Sequence, residues 1–123
     1  MTGAPAFPHK LEQSEKQFQM AVVEYAHHRG WKVAHFHDSR REVVRKSGHR
    51  LIIGDKDSAG FPDLTMARGD RLIFAELKTG RRKLTEAQQA WQEALLRVAL
   101  GNEHVEVFVW RPSDWSSVEA TLR

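Results

Sequence analysis

The stretch from Gly60 to Lys78 reads GFPDLTMARGDRLIFAELK. Two apolar runs, 63–68 and 71–78, flank the dipeptide Gly69-Asp70, a pattern that predicts two antiparallel strands joined by a tight turn. With a two-residue turn Arg68 faces Arg71, and counting outward pair by pair brings Asp63 opposite Glu76. A four-residue loop keeps that register, whereas a three- or five-residue loop breaks it. Opposed residues share a sheet face with Cβ atoms roughly 4.5–5.5 Å apart. Lys78, two residues beyond Glu76, points the same way. Both strands are apolar on both sides, as a sheet covered on two faces requires.

Outward from this hairpin, the other elements follow from period and punctuation. Ser14 is placed to cap a helix running to about Arg29 and stopped by Gly30. Phe18, Val22, Tyr25 and Ala26 form its apolar face. Residues 31–37 (WKVAHFH) read as a strand. The long basic stretch 38–59 is punctuated by glycines, and within it 42–46 and 49–53 form either a hairpin about Ser47-Gly48 or a mobile loop. Residues 79–83 (TGRRK) are a loop. Thr85 opens a second helix, with Ala87, Trp91, Ala94, Leu95 and Val98 on one face and Gly101 at its end. Residues 105–110 (VEVFVW) are a strand stopped by Pro112, and Ser113 or Asp114 caps a short final helix to Leu122. Trp91 and Trp110 are read as core, and Trp31 and Trp115 as core or surface. The order mixes a hairpin with a helical crossover, which predicts an α/β fold: a central mixed sheet with helices on both faces.

Composition narrows the chemistry. The chain has 123 residues, 41% hydrophobic and 28% charged, the size and balance of one globular domain. Residues 1–13, with two prolines and no period, are expected to be a loose leader, and 14–123 a single domain. No apolar run approaches the ~20 residues of a membrane span, and no signal core opens the chain, so a cytoplasmic protein with no membrane partner is expected. There is no cysteine, which excludes disulfides, thiolate-bound zinc and thiol catalysis. Any metal must therefore sit on oxygen or imidazole. The net charge of +3 and a pI near 9.5 are compatible with a nucleic-acid partner without requiring one. The placement is more informative. Arg40, Arg41, Arg45, Lys46 and Arg50 form one basic group, and Arg81, Arg82 and Lys83 follow Lys78 in another. Each alone reads as a solvated surface; together, flanking one candidate site, they suit phosphate binding.

Facing carboxylates repel unless a proton or a cation lies between them. Asp63 and Glu76 therefore form a candidate site for a hard divalent ion such as Mg²⁺ or Mn²⁺, which polarises a phosphodiester and lowers the pKa of water. Lys78 is placed to orient that water and to stabilise charge on phosphorus. Pro62 sets Asp63 at a strand entrance, and Gly60 allows a sharp turn before it. E-x-K alone is too common to carry weight, and a cross-strand ion pair beside a turn carboxylate would use the same residues. G-x-P-D, a two-residue turn and a register-matched E-x-K together form a far rarer pattern. Thr85 and Gln88 have the spacing of a capping box, and the six-residue loop 79–84 also leaves Gln88 within reach of the site. Glu15 points along the apolar face of the first helix, an odd position for an acid that a helix-dipole role would explain. His35 and His37 form H-x-H on one strand face, a weaker candidate for a metal site.

Six segments resemble one family. S-E-x-x-F-Q (14–19), R-G-W (29–31), H-x-H-D-S-R (35–40), G-F-P-D-L (60–64), I-F-A-E-L-K (73–78) and L-T-x-x-Q-x-x-W (84–91) are similar to the virus-type replication-repair nuclease (VRR-NUC) domain of the PD-(D/E)xK superfamily, in its stand-alone phage and bacterial form. The resemblance spans residues 14 to 115, and residues 42–57 do not align with it. It implies a restriction-endonuclease-like α/β/α sandwich. It assigns Asp63, Glu76, Lys78 and Gln88 to catalysis, and Glu15, Asp63 and Glu76 to the metal. It further implies a homodimer acting on branched DNA such as a Holliday junction. The alternatives are a flap, nicking or restriction-like nuclease, a DNA-binding module that does not cut, or an interaction protein whose basic loop meets an acidic partner.

Overall fold

The computed structural model describes residues 14–36, 41–44, 46–48, 50–53 and 57–123. The chain order is α1 (Glu15–His28), β1 (Lys32–His35), β2 (Arg41–Val44), β3 (Arg50–Ile53), β4 (Leu64–Arg68), β5 (Arg71–Leu77), α2 (Glu86–Leu100), β6 (Val105–Trp110), a 3-10 turn (Pro112–Asp114) and α3 (Trp115–Leu122). A four-stranded mixed sheet has the order β1-β4-β5-β6, while β2 and β3 form a separate two-stranded sheet. β1 pairs antiparallel with β4, and β4 pairs antiparallel with β5. β6 lies parallel to β5 and is reached through α2, since a parallel partner needs a crossover. The protein is therefore α/β. Among the described residues no helix is long and apolar enough to cross a membrane. The leader 1–13 lies outside the described residues.

The central hairpin has the register expected of its turn. Arg68 pairs with Arg71 and Leu64 with Ala75, around Gly69 at φ +60°. Carried one residue beyond the ladder, that register sets Asp63 opposite Glu76. Regular β4 begins one residue later than expected, at Leu64, because Asp63 has turned its side chain to the next strand: the Leu77 N–H donates to its Oδ2 at 2.9 Å.

Alternation divides the sheet into two faces. Leu64 and Met66 on β4, and Ile73, Ala75 and Leu77 on β5, lie on one face and are fully buried. Phe18, Val22 and Ala26 of α1 and Val118 and Leu122 of α3 cover them. α1 is opened by a full capping box, in which Gln17 N–H donates to Ser14 Oγ and Ser14 N–H to Gln17 Oε1, both at 3.1 Å. It ends at His28 with Arg29 as its C-cap, and Gly30 follows at φ +83°. At the hairpin-turn end, buried Trp31 donates from Nε1 to the Leu122 carbonyl at 2.9 Å. The guanidinium groups of Arg68 and Arg71 lie 4.5 and 5.0 Å from its ring centroid. Arg71 also forms a two-point pair with Glu106 at 2.8 and 2.9 Å, tying β5 to β6. Trp31 is thus core, while Trp115 is half-buried, edge-on to Tyr25 at 5.8 Å.

The opposite face carries Phe74, Glu76 and Lys78. Here Phe61 packs edge-on against Phe36, Phe74 and Trp91, so α2 covers this side. α2 is rotated from the expected apolar stripe. Ala94 and Val98 are exposed, and Gln92 is buried with Leu95 and Ala99 half-buried beside it. The rotation follows from the start of the helix, where Gln88 turns toward the sheet. Trp91 is consequently half-buried, donating from Nε1 to the Asp57 carbonyl at 3.0 Å. At the C-terminus Asp114 occupies the cap position of α3, but its Oδ2 accepts from the Arg111 N–H at 2.9 Å rather than capping the helix.

Candidate functional site

Three elements meet at the open end of the hairpin: the loop 57–63, the end of β5 and the first turn of α2. Gly60 brings the loop and the helix together. At its φ of +81°, a Cβ would lie 2.3 Å from the Ala87 carbonyl carbon and 2.5 Å from the Gln88 nitrogen. A side chain cannot occupy that space, so the need for glycine is one of close approach as well as backbone conformation. Pro62, buried, follows and delivers Asp63 to the strand entrance.

Glu76 is 2% exposed and Lys78 is 6% exposed. Buried charges of this kind require partners. Gln88 supplies one: its Nε2 donates to Glu76 Oε2 at 2.9 Å. The same side chain accepts from the Thr85 N–H through Oε1 at 2.9 Å, and its own N–H donates to Thr85 Oγ1 at 3.2 Å. Gln88 therefore performs both roles open to it in the sequence, capping α2 and contacting the site. The other Glu76 oxygen, Oε1, is buried with no hydrogen-bond partner among the described residues.

Electrostatics follow from this placement. Burial, and then the Asp63 carboxylate, push the Glu76 carboxyl up to about 8. Asp63, half-buried, is raised as well: burial is the main cause, opposed by the Leu77 N–H that holds its anion. The Lys78 ammonium pulls both carboxyls down, and Glu15, from the start of α1, pushes both up. Asp63, Glu76 and Lys78 thus act on one another at close range, and the charge of Glu15 adds to the excess of acid over ammonium. A cation there would relieve the acid repulsion and satisfy the orphaned Oε1. The donor set, carboxylate oxygen throughout, suits a hard divalent ion.

The expected residues are brought together unequally. Asp63, Glu76, Lys78 and Gln88 converge. Glu15 reaches the site only through space, from an exposed position, and among the described residues no three His, Asp or Glu side chains form a chelating group. His35 Nδ1 lies 3.4 Å from Gln19 Nε2, and His37 lies outside the described residues, so the H-x-H pair cannot be placed as a unit. Arg81, Arg82 and Lys83 are exposed on the loop that follows Lys78. Lys46 is exposed in the turn between β2 and β3, and this turn closes the hairpin reading of that segment. Arg41 pairs with Ile53 and Arg50 with Val44 along its ladder, whereas Arg40 and Arg45 lie outside the described residues.

Sequence reasoning missed Arg111. Its Nη2 donates to the Arg82 carbonyl at 2.6 Å and its Nη1 to the Gly80 carbonyl at 3.5 Å. No periodicity or motif marks that role, because it depends on how β6 ends beside the loop. No family model matches the chain, and no curated protein matches it.

Proposed function

We propose that the protein is a divalent-metal-dependent DNA endonuclease, hydrolysing phosphodiesters on a restriction-endonuclease-like fold. The observation that carries this reading is the placement of half-buried Asp63 against buried Glu76, beside buried Lys78, with Glu76 Oε1 without a hydrogen-bond partner among the described residues. Simple structural roles do not account for it. A stabilising ion pair with Lys78 would not need a carboxyl that burial first, and then the Asp63 carboxylate, push up to about 8.

Asp63 and Glu76 would hold Mg²⁺ or Mn²⁺, with Glu15 reaching in from α1. When bound, such an ion supplies Lewis acidity toward a phosphate oxygen and makes water more acidic. The chain's own residues do the rest. The Leu77 N–H fixes one Asp63 oxygen and Gln88 fixes one Glu76 oxygen, leaving the remaining oxygens for the cation. Lys78, held close to both acids, donates to the attacking water or to the phosphate oxygen that gains charge, and so stabilises the transition state. The exposed cations Arg81, Arg82 and Lys83 supply phosphate contacts next to it, and Arg40, Arg41, Arg45, Lys46 and Arg50 a second set.

The resemblance to stand-alone VRR-NUC domains supports branched DNA, such as a four-way junction, as the substrate, and a homodimer as the acting form. A 14.1 kDa chain with one such site can cut two strands symmetrically only as a pair. The test is a gel panel of linear, nicked, flapped, bubble and four-way-junction DNA with Mg²⁺, Mn²⁺ or EDTA, for wild type and Lys78→Ala. Cleavage that needs the metal and Lys78 is expected, strongest on the junction. Equal cleavage by Lys78→Ala, or none by wild type on any substrate, would refute the reading.

A further inference from the structure

The loop from Lys78 to Thr85 is fixed at more points than a surface loop of its length needs. The Lys78 N–H donates to the Trp110 carbonyl at 2.9 Å, and Thr79 is buried. The Arg82 N–H closes a turn onto the Thr79 carbonyl at 3.4 Å, with Gly80 at φ +61° inside it. Arg111, half-buried at the end of β6, donates to two loop carbonyls, one short bond to Arg82 and one long bond to Gly80. Arg111 is itself steadied, since its N–H is tied to Asp114 Oδ2. The capping box of α2 holds the far end. Yet Arg81, Arg82 and Lys83 are all exposed.

We propose that residues 79–83 are a preformed clamp for the nucleic-acid backbone, and that Arg111 is the positioning residue that sets its shape. A guanidinium spent on main-chain carbonyls leaves the three loop side chains directed to solvent, immediately after the lysine that faces the acid pair. Ordering the loop before binding removes an entropic cost of binding phosphates. It also fixes the distance between the clamped phosphate and the one at Lys78. Arginine suits the task because its rigid planar fork holds two carbonyls in a fixed geometry, whereas an ammonium is a point charge on a flexible stem with rotatable donors. The inference rests on the proposed nuclease reading for its ligand, but concerns binding rather than the cleavage step.

The test is fluorescence-anisotropy titration of a labelled four-way junction in EDTA, from 50 to 250 mM salt, on the full chain. The proteins are wild type, Arg111→Met, Arg111→Lys and the triple variant Arg81→Ala/Arg82→Ala/Lys83→Ala. Each phosphate contact contributes about 0.9 to the slope of log affinity against log salt. The triple variant is expected to lose about 2 to 3 in slope. Arg111→Met should lose about 1 or more and bind about tenfold more weakly, with Arg111→Lys in between. Thermal melting run alongside separates a purely structural effect. If Arg111→Met melts lower but keeps the wild-type slope and affinity, the positioning role is overturned. If Arg111→Met does not fold, Arg111→Lys and the triple variant decide, and an unchanged slope in either overturns the clamp. Wild type that binds no DNA refutes the nuclease reading and the clamp together, whereas wild type that binds with variants unchanged refutes the clamp alone.

Discussion

Gln88 Nε2 lies 2.9 Å from Glu76 Oε2, and the same amide closes the capping box of α2 with Thr85. One side chain thus couples the start of a helix to a buried acid on the sheet. The coupling separates by mutation. Thr85→Ala removes a cap and leaves the Glu76 contact, so a loss of about 1 kcal/mol is expected. Gln88→Ala removes the reciprocal cap bond and a bond to a carboxylate, so about 2–3 kcal/mol is expected. Urea unfolding measures both; equal losses would mean that the Glu76 contact adds nothing.

The carboxyl of Glu76 makes stability pH-dependent in a definite direction. Its folded-state value is raised to about 8 from 4.5. The native state therefore favours the protonated form. The contribution is complete below about 4.5 and is lost as pH rises through about 8. At about 1.4 kcal/mol per pKa unit, this is on the order of 4–5 kcal/mol across the window. In EDTA, Glu76→Gln should flatten the stability curve between pH 5 and 9 and exceed wild type in stability at pH 9. Parallel curves for the two proteins would contradict the burial argument.

Two glycines with positive φ predict unequal costs. At Gly60 a Cβ would collide with the backbone of Ala87 and Gln88, whereas at Gly69 it would meet nothing within 4 Å. Gly69→Ala should cost only the left-handed backbone penalty, about 1 kcal/mol. Gly60→Ala adds displacement of the first turn of α2 and should cost about 3 kcal/mol or more. It should also weaken metal binding by moving Gln88 from Glu76. Comparable unfolding midpoints for the two variants would refute the close approach.

The parts legible in the sequence are those encoded locally. The Gly69-Asp70 turn and the alternation on either side set the register of Asp63 and Glu76. Ser14, and Thr85 with Gln88, announced both long helices through short-range capping chemistry. Tertiary effects were not legible. Gly60 reads as a turn residue, because nothing in one sequence says which backbone will approach it. The apolar period of α2 pointed to Ala94 and Val98, but Gln88 and the loop at Gly60 fix the helix at its first turn and rotate those residues outward. Arg111 carries no local signature at all, since its partners are carbonyls 31 and 29 residues earlier in the chain. The expected convergence of Glu15 was legible only in part: its charge reaches the acids, but its side chain sits at an exposed helix start.

The decisive measurement is isothermal titration of Mn²⁺ into wild type, Asp63→Ala and Glu76→Gln at pH 8, with folding of each checked by its melting curve. Wild type is predicted to bind the ion and release protons as Glu76 ionises; each variant is predicted to lose that heat while remaining folded. Undiminished Mn²⁺ binding in both folded variants would contradict the account, because the facing acids would then hold no cation.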